Sequence, residues 1–213
     1  MIARALRMNN ASKSNMLKLV NYLISSQGNA QRVQSVRISN CEEKEGAEWA
    51  ALEMLATQKM NTRAQGDKTY HVVLSFHENL SERQLAEIEE QVCRKLGFDG
   101  HQRISVLHGD TENPHLHIAI NKIHPDRLTI HEPYYDKTKL AEISEVLESR
   151  YSLVPDNHVF RSEARETAAK SMEIAGDMES LIGWIQRNVL DDIKKATSWK
   201  ELHTTLAKNG LGM

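Results

Sequence analysis

The stretch "HLHIAIN", residues 115–121, constrains the fold more tightly than any other part of the chain. Successive side chains of a strand point to opposite faces. Leu116, Ile118 and Ile120 therefore share one face, and His115, His117 and Asn121 share the other. Such alternation predicts a half-buried strand with its apolar side on a core and two imidazoles on the open side. The run before it ends at His108, and the six-residue polar loop "GDTENP" returns the chain antiparallel. One hairpin thus gathers three histidines.

The flanking sequence supplies a sheet for that hairpin. "MIARAL" reads as a first strand. Residues 12–28 read as a helix capped by Ser12 or Ser14, ended by Gly28, with an apolar stripe of Met16, Leu19, Val20, Leu23 and Ile24. Residues 32–39 and 68–76 have strand alternation, and 44–60 read as a helix. A further helix over 81–97 has Ser81 as its cap and Gly97 as its stop. Strands at 101–108 and 115–123 precede a helix over 136–150. The order β-α-β-α-β-α-β-β-α predicts an α+β fold: a mainly antiparallel central sheet with helices packed on one face. From about residue 161 the chain turns polar, rich in Ala and Glu, and helical. The expected division is a domain over 1–160 and a helical extension over 161–213, the start of a longer C-terminal region.

Composition narrows the function classes. With 40% hydrophobic and 26% charged residues, the chain has the balance of a globular protein. No run approaches the apolar length of a membrane span, and the N-terminus has no continuous apolar segment of a signal peptide. Cys41 and Cys93 form no CxxC pair, which predicts buried thiols in a reducing cytoplasm. The net charge of −2 alone does not suggest a polyanion partner. Its distribution does: the first 41 residues lack Asp and Glu but carry Arg4, Arg7, Lys13, Lys18, Arg32 and Arg37.

Three imidazoles in one hairpin, two of them in register, point to a metal rather than to a merely hydrogen-bonded cluster. Three neutral imidazoles leave coordination positions open, as catalytic sites do. Imidazole ligation does not name the ion. Asp110 reads equally as a carboxylate orienting an imidazole and as a turn residue. No GxSxG, HExxH or GxxxxGKS motif offers an alternative chemistry. Tyr22 lies roughly 140° from the centre of its helix's apolar stripe at 100° per residue. The core does not need it there, and it sits in the acid-free zone. A phenol is a poor nucleophile at neutral pH unless a cation or base assists it.

"HGDTENPHLHIAINKIHP" resembles the three-histidine motif of the HUH relaxases, in the MOBP class of conjugative plasmids. "LVNYLISSQG" resembles their nucleophile segment, and "NTRAQGDKTYHVVLSF" the middle motif that ends at a serine. The match is nearest to the relaxases of IncP-type plasmids and extends, more loosely, to "SWKELH". The resemblance implies an N-terminal relaxase domain that nicks one strand at an origin of transfer, keeps the 5′ phosphate as a phosphotyrosine, and rejoins the ends. It implies Tyr22 as the nucleophile, His108, His115 and His117 as ligands of a divalent metal, and Asp110 as an acidic residue of the site. Magnesium or manganese is expected in function, and zinc or another transition metal is compatible with three histidines. Ser75 matches the middle-motif serine that contacts DNA. Arg4, Arg7, Lys13, Lys18, Arg63, Asn121 and Lys122 are further candidates for DNA contact. The implied partners are single-stranded origin DNA, accessory relaxosome proteins and a coupling protein, with the relaxase a monomer on DNA. The competing readings are a rolling-circle replication initiator, a metal-dependent phosphoesterase using water, and a non-catalytic DNA-binding module.

Overall fold

The computed structural model describes residues 1–6, 15–156, 158 and 181–211. Five strands, β1 (Ile2–Leu6), β2 (Val33–Ser39), β3 (Thr69–Ser75), β4 (Arg103–His108) and β5 (His115–Asn121), form one antiparallel sheet in the order β1-β3-β5-β4-β2. Between them run α1 (Met16–Ile24), α2 (Ala47–Met60) and α3 (Glu82–Leu96), and α4 (Asp136–Tyr151) follows β5. The α+β class and the antiparallel sheet agree with the sequence pattern, as does the element order.

The helix ends follow local chemistry. Ser81 accepts from the backbone of Gln84, whose side chain reaches back to complete a capping box, and Gly97 closes α3 in the left-handed conformation. The predicted first helix is shorter than expected: α1 is capped by Asn15 and ends at Ile24, and Gly28 lies beyond it at φ 85°. The expected caps Ser12 and Ser14 lie outside the described residues.

Strand alternation divides the core in two. Val72, Leu74, Leu116, Ile118 and Ile120 face α3 and α4, where they meet Ile88, Val92, Leu140 and Leu147. Ile104, Val106 and Ala119 face the other way, against Met16, Leu19, Val20 and Leu23 of α1 and Ala50 and Met54 of α2. Helices therefore cover one face, as the pattern predicts, and α1 and α2 also cover part of the imidazole-bearing face. The reason is that β4 is buried on both sides, Arg103 to His108 without exception; a strand of that kind needs a cover on each face. On the α3 side, Arg103 donates from Nε to Glu89 at 2.6 Å and from Nη2 to Glu90, which ties α3 to β4.

The chain separates into two compact units, Met1–His158 and Val159–Met213. The second contains α5 (Leu181–Asn188), α6 (Leu190–Lys195) and α7 (Trp199–Lys208), the last capped by Ser198. No helix among the described residues is long and apolar enough to cross a membrane.

Ile118 is fully enclosed at the centre of the sheet. Ile118→Ala is expected to lower unfolding free energy by about 2–5 kcal/mol, the usual cost of a core cavity plus lost burial. Urea denaturation followed by circular dichroism checks this.

Candidate active site

Registers align side chains across the imidazole-bearing face in three rows. Ile2, Ser75, His115 and His108 make the first; Arg4, Val73, His117 and Val106 the second; Leu6, His71, Ala119 and Ile104 the third. Neighbouring strands thus bring His108, His115 and His117 together: ring centroids lie 4.5 Å apart for His108–His117 and 6.5 Å for His115–His117. Ser75 is half-buried beside His115, and Arg4 is exposed in the row of His117.

A fourth imidazole belongs to the group. His71 Nε2 stands 3.1 Å from His117 Nδ1, and one of the two carries the shared hydrogen. Sequence reading missed it, because His71 sits in a strand whose alternation looks complete without it. The signal was available: His71 and Ser75 fall on the same face of "THVS", taken every second residue from Thr69 with Val73 between them.

Burial favours the neutral form of His71, His108 and His117. Burial pushes His117 down to about 3 and His71 down to about 4, with the neighbouring imidazoles adding to the effect. Burial also lowers His108, against an opposing hydrogen bond to a carbonyl. That carbonyl is Leu23 O, 2.7 Å from His108 Nε2. A carbonyl only accepts, so Nε2 carries the hydrogen and Nδ1 is left as the lone-pair atom. His115 Nδ1 is buried with no hydrogen-bond partner. An orphaned ring nitrogen of this kind, beside other imidazoles, fits the donor chemistry of a divalent metal. The side chains do not form a preassembled cage: among the described residues no three His, Cys, Asp or Glu groups converge as a metal cluster.

Tyr22 is 56% exposed on the outer side of α1. Lys18 lies one helical turn before it and is exposed as well. The residue after Tyr22 supplies the carbonyl that His108 holds, so the phenol-bearing helix is fastened directly to the histidine hairpin. Arg32 packs its guanidinium 5.2 Å from the centroid of the Tyr22 ring. Asp110 does not meet an imidazole: its Oδ2 is 3.5 Å from Arg32 Nε.

Two candidates are corrected. Asn121 shares the imidazole face but is fully buried, with Nδ2 donating to Met54 O and Gln102 Oε1 and Oδ1 accepting from Ile123 N. Covered by α2, it cannot contact DNA. Lys122 is buried, and its Nζ donates to Glu132 at 2.8 Å and pairs with Asp67 at 3.5 Å, so its charge is spent within the protein. Arg63 is exposed but shares a separate cleft with Arg127. Arg7 and Lys13 lie outside the described residues.

Residues 22–153 match the family model for the MobA/VirD2-like relaxase nuclease domain, a span that opens on Tyr22 and includes all four imidazoles. The chain belongs to the MobA/VirD2-like relaxase family. Residues 166–213 match the TraI-like middle domain. The relaxase chain is 48% identical to a protein TraI of Escherichia coli over 213 residues, covering 99% of this chain and 28% of that one. A second TraI of the same organism is 45% identical, with 99% and 29% covered. Protein MobA of Acidithiobacillus ferrooxidans is 29% identical over 183 residues, covering 74% and 44%. The chain therefore spans less than a third of the length of either TraI.

The neutral buried imidazoles of this relaxase have a consequence for stability. His71 and His117 share it with His101, which burial lowers to about 4 and which lies apart from Tyr22, bonded to Asn121 O. Unfolded, each histidine titrates near 6.5. Between there and about pH 4 the unfolded chain binds more protons than the folded one. Stability is thus complete above pH 6.5 and falls as pH drops through that window. Urea midpoints measured with chelator at pH 7.5 and 5.5 should decrease toward acid, with a shallower slope in His101→Gln. Equal midpoints in the wild type would contradict the buried neutral state.

Proposed function

We propose that this domain cleaves single-stranded DNA at a plasmid origin of transfer by transesterification, as an IncP-like conjugative relaxase does. Tyr22 Oη loses its proton and attacks the scissile phosphorus. The bond from phosphorus to O3′ breaks, and the departing oxygen takes a proton to become a 3′ hydroxyl. The 5′ phosphate remains on Tyr22 as a diester, and attack by a 3′ hydroxyl reverses the step. One phosphodiester replaces another, so no nucleotide cofactor is required.

The observation that carries this reading is the junction between phenol and imidazoles. Tyr22 is exposed, and its next carbonyl is bonded to His108. His108, His115 and His117 would hold a divalent metal, magnesium or manganese in function, with zinc or another transition metal also suited to the donor set. When bound, the ion supplies Lewis acidity and neutralises charge on a coordinated phosphate. If His117 Nδ1 donates to His71 Nε2, His117 Nε2 keeps its lone pair for ligation. Arg4 and Lys18, exposed near this face, suit phosphate contacts, and Ser75 beside His115 suits contact near the nick. Asp110 serves the same site through Arg32. Accessory relaxosome proteins and a coupling protein are the further partners of a monomer on DNA, in the cytoplasm.

The test uses a labelled single-stranded origin oligonucleotide. Wild-type protein with magnesium or manganese should give an adduct stable to SDS and sensitive to protease. Tyr22→Phe should bind the oligonucleotide and give no adduct. His115→Ala or His117→Ala should lose cleavage while binding is weakened but measurable. Chelation should stop the reaction and added metal restore it. Cleavage that persists in Tyr22→Phe without any adduct would replace this mechanism with hydrolysis by water, and binding without scission under all metals would leave a DNA-binding module.

A further inference from the structure

The C-terminal turn of α1 leaves carbonyls without helical partners, as every helix end does. The last turn carries no basic residue of its own. Cations there are favoured by the helix dipole and by direct donation to the free carbonyls. Here the donors arrive from elsewhere. His108 takes Leu23 O, and Arg32 Nη1 donates to Tyr22 O at 3.1 Å and to Ser25 O.

Arg32 has more contacts than a cap requires. It stands just ahead of β2 and is 5% exposed. Its backbone carbonyl accepts from Gly109 N at 3.0 Å, the residue between His108 and Asp110. Its Nε faces Asp110, and its guanidinium carbon lies over the Tyr22 ring. Five contacts of Arg32 thus join the helix of the phenol to the loop that starts at the first histidine. Next to this point β2 has a bulge between Val33 and Ser35, which shifts pairing opposite Leu107 and His108. Bulges of this kind re-aim side chains beside sites.

We propose that Arg32 is the positioning residue of the nucleophile, and that Asp110 acts by orienting Arg32. This inference rests on Tyr22 being the attacking group. The chemistry needs a guanidinium. Its planar fork presents one nitrogen to two carbonyls and another to a carboxylate, while its charge lies over an aromatic ring. A lysine ammonium gathers its three donors on one nitrogen and cannot hold all of these at once. Without the fork, the exposed ring of Tyr22 keeps its helix but loses the contact that fixes its azimuth. Misplacement of a reacting group by about 1 Å costs about 100-fold in rate.

The test measures single-turnover adduct formation on the origin oligonucleotide, normalised to the active fraction by burst amplitude, together with oligonucleotide affinity. Arg32→Ala should slow adduct formation about 100-fold, and Arg32→Lys about tenfold, with affinity changed less than about threefold. Asp110→Asn should slow it less than Arg32→Ala. The double variant Arg32→Lys, Asp110→Asn should be no slower than Arg32→Lys alone, because both act through one contact. If Arg32→Ala fails to fold, the Lys and Asn variants carry the test. Wild-type rates in Arg32→Lys, or full additivity of the two substitutions, would overturn the inference while leaving Tyr22 as nucleophile. A wild-type protein that forms no adduct would overturn the underlying reading instead.

Discussion

β5 is hydrogen-bonded along both edges, to β3 and to β4, and its register decides where every functional group on the sheet stands. A slip by one residue would exchange its faces, placing Leu116, Ile118 and Ile120 outward and the histidines in the core. Each of those apolar side chains gains about 1.5–3 kcal/mol by burial against α3 and α4. The imidazole face is therefore set from behind. Hydrophobic burial on one side of the strand fixes the row that holds Ser75, His115 and His108 on the other.

Much of this is visible in the chain itself. Periodicity locates the elements, and "HLHIAIN" alone gives the facing of His115 and His117. The stripe of α1 correctly leaves Tyr22 outside. What periodicity does not carry is pairing between segments distant in sequence. His71 joins the cluster because β3 lies beside β5 and Ala119 lies opposite it, and nothing within "KTYHVVLSF" specifies that neighbour. Arg32 looks like one more cation of an acid-free segment until the turn after α1 is folded. Asn121 and Lys122 fail as DNA contacts for the complementary reason. Strand parity gives a face, but whether a helix lies on that face is a tertiary matter. Here α2 covers Asn121, while Asp67 and Glu132 enclose Lys122.

The acid-free N-terminal segment also looks different once its partners are known. Arg37 faces Glu89 at 3.8 Å on the sheet side that packs against α3, and Arg32 is matched by Asp110. Among its described cations, Arg4 and Lys18 remain exposed near the imidazole face. The buried group of Arg103, Glu89 and Glu90 lies on the opposite side of the sheet and serves to hold α3. Among the described residues of this segment, Arg4 and Lys18 are thus the cations left exposed to a phosphate approaching the histidines.

The proposed cleavage also places an electrostatic burden on the centre of the site. In the proposed reaction, a scissile phosphodiester carries a charge that grows on its oxygens as Tyr22 attacks. Neither His117 nor His71 can neutralise it as a cation, since burial pushes them down to about 3 and about 4. Arg32 cannot do so either without leaving Asp110 and the carbonyls of α1. The same burial keeps the rings unprotonated, and only an unprotonated imidazole ligates a metal. Desolvation thus removes one source of positive charge and preserves the lone pairs that would recruit another. On the proposed chemistry a bound dication would be the counter-charge for the phosphate, and the protein's own cations would be left to aim the phenol and to guide the strand.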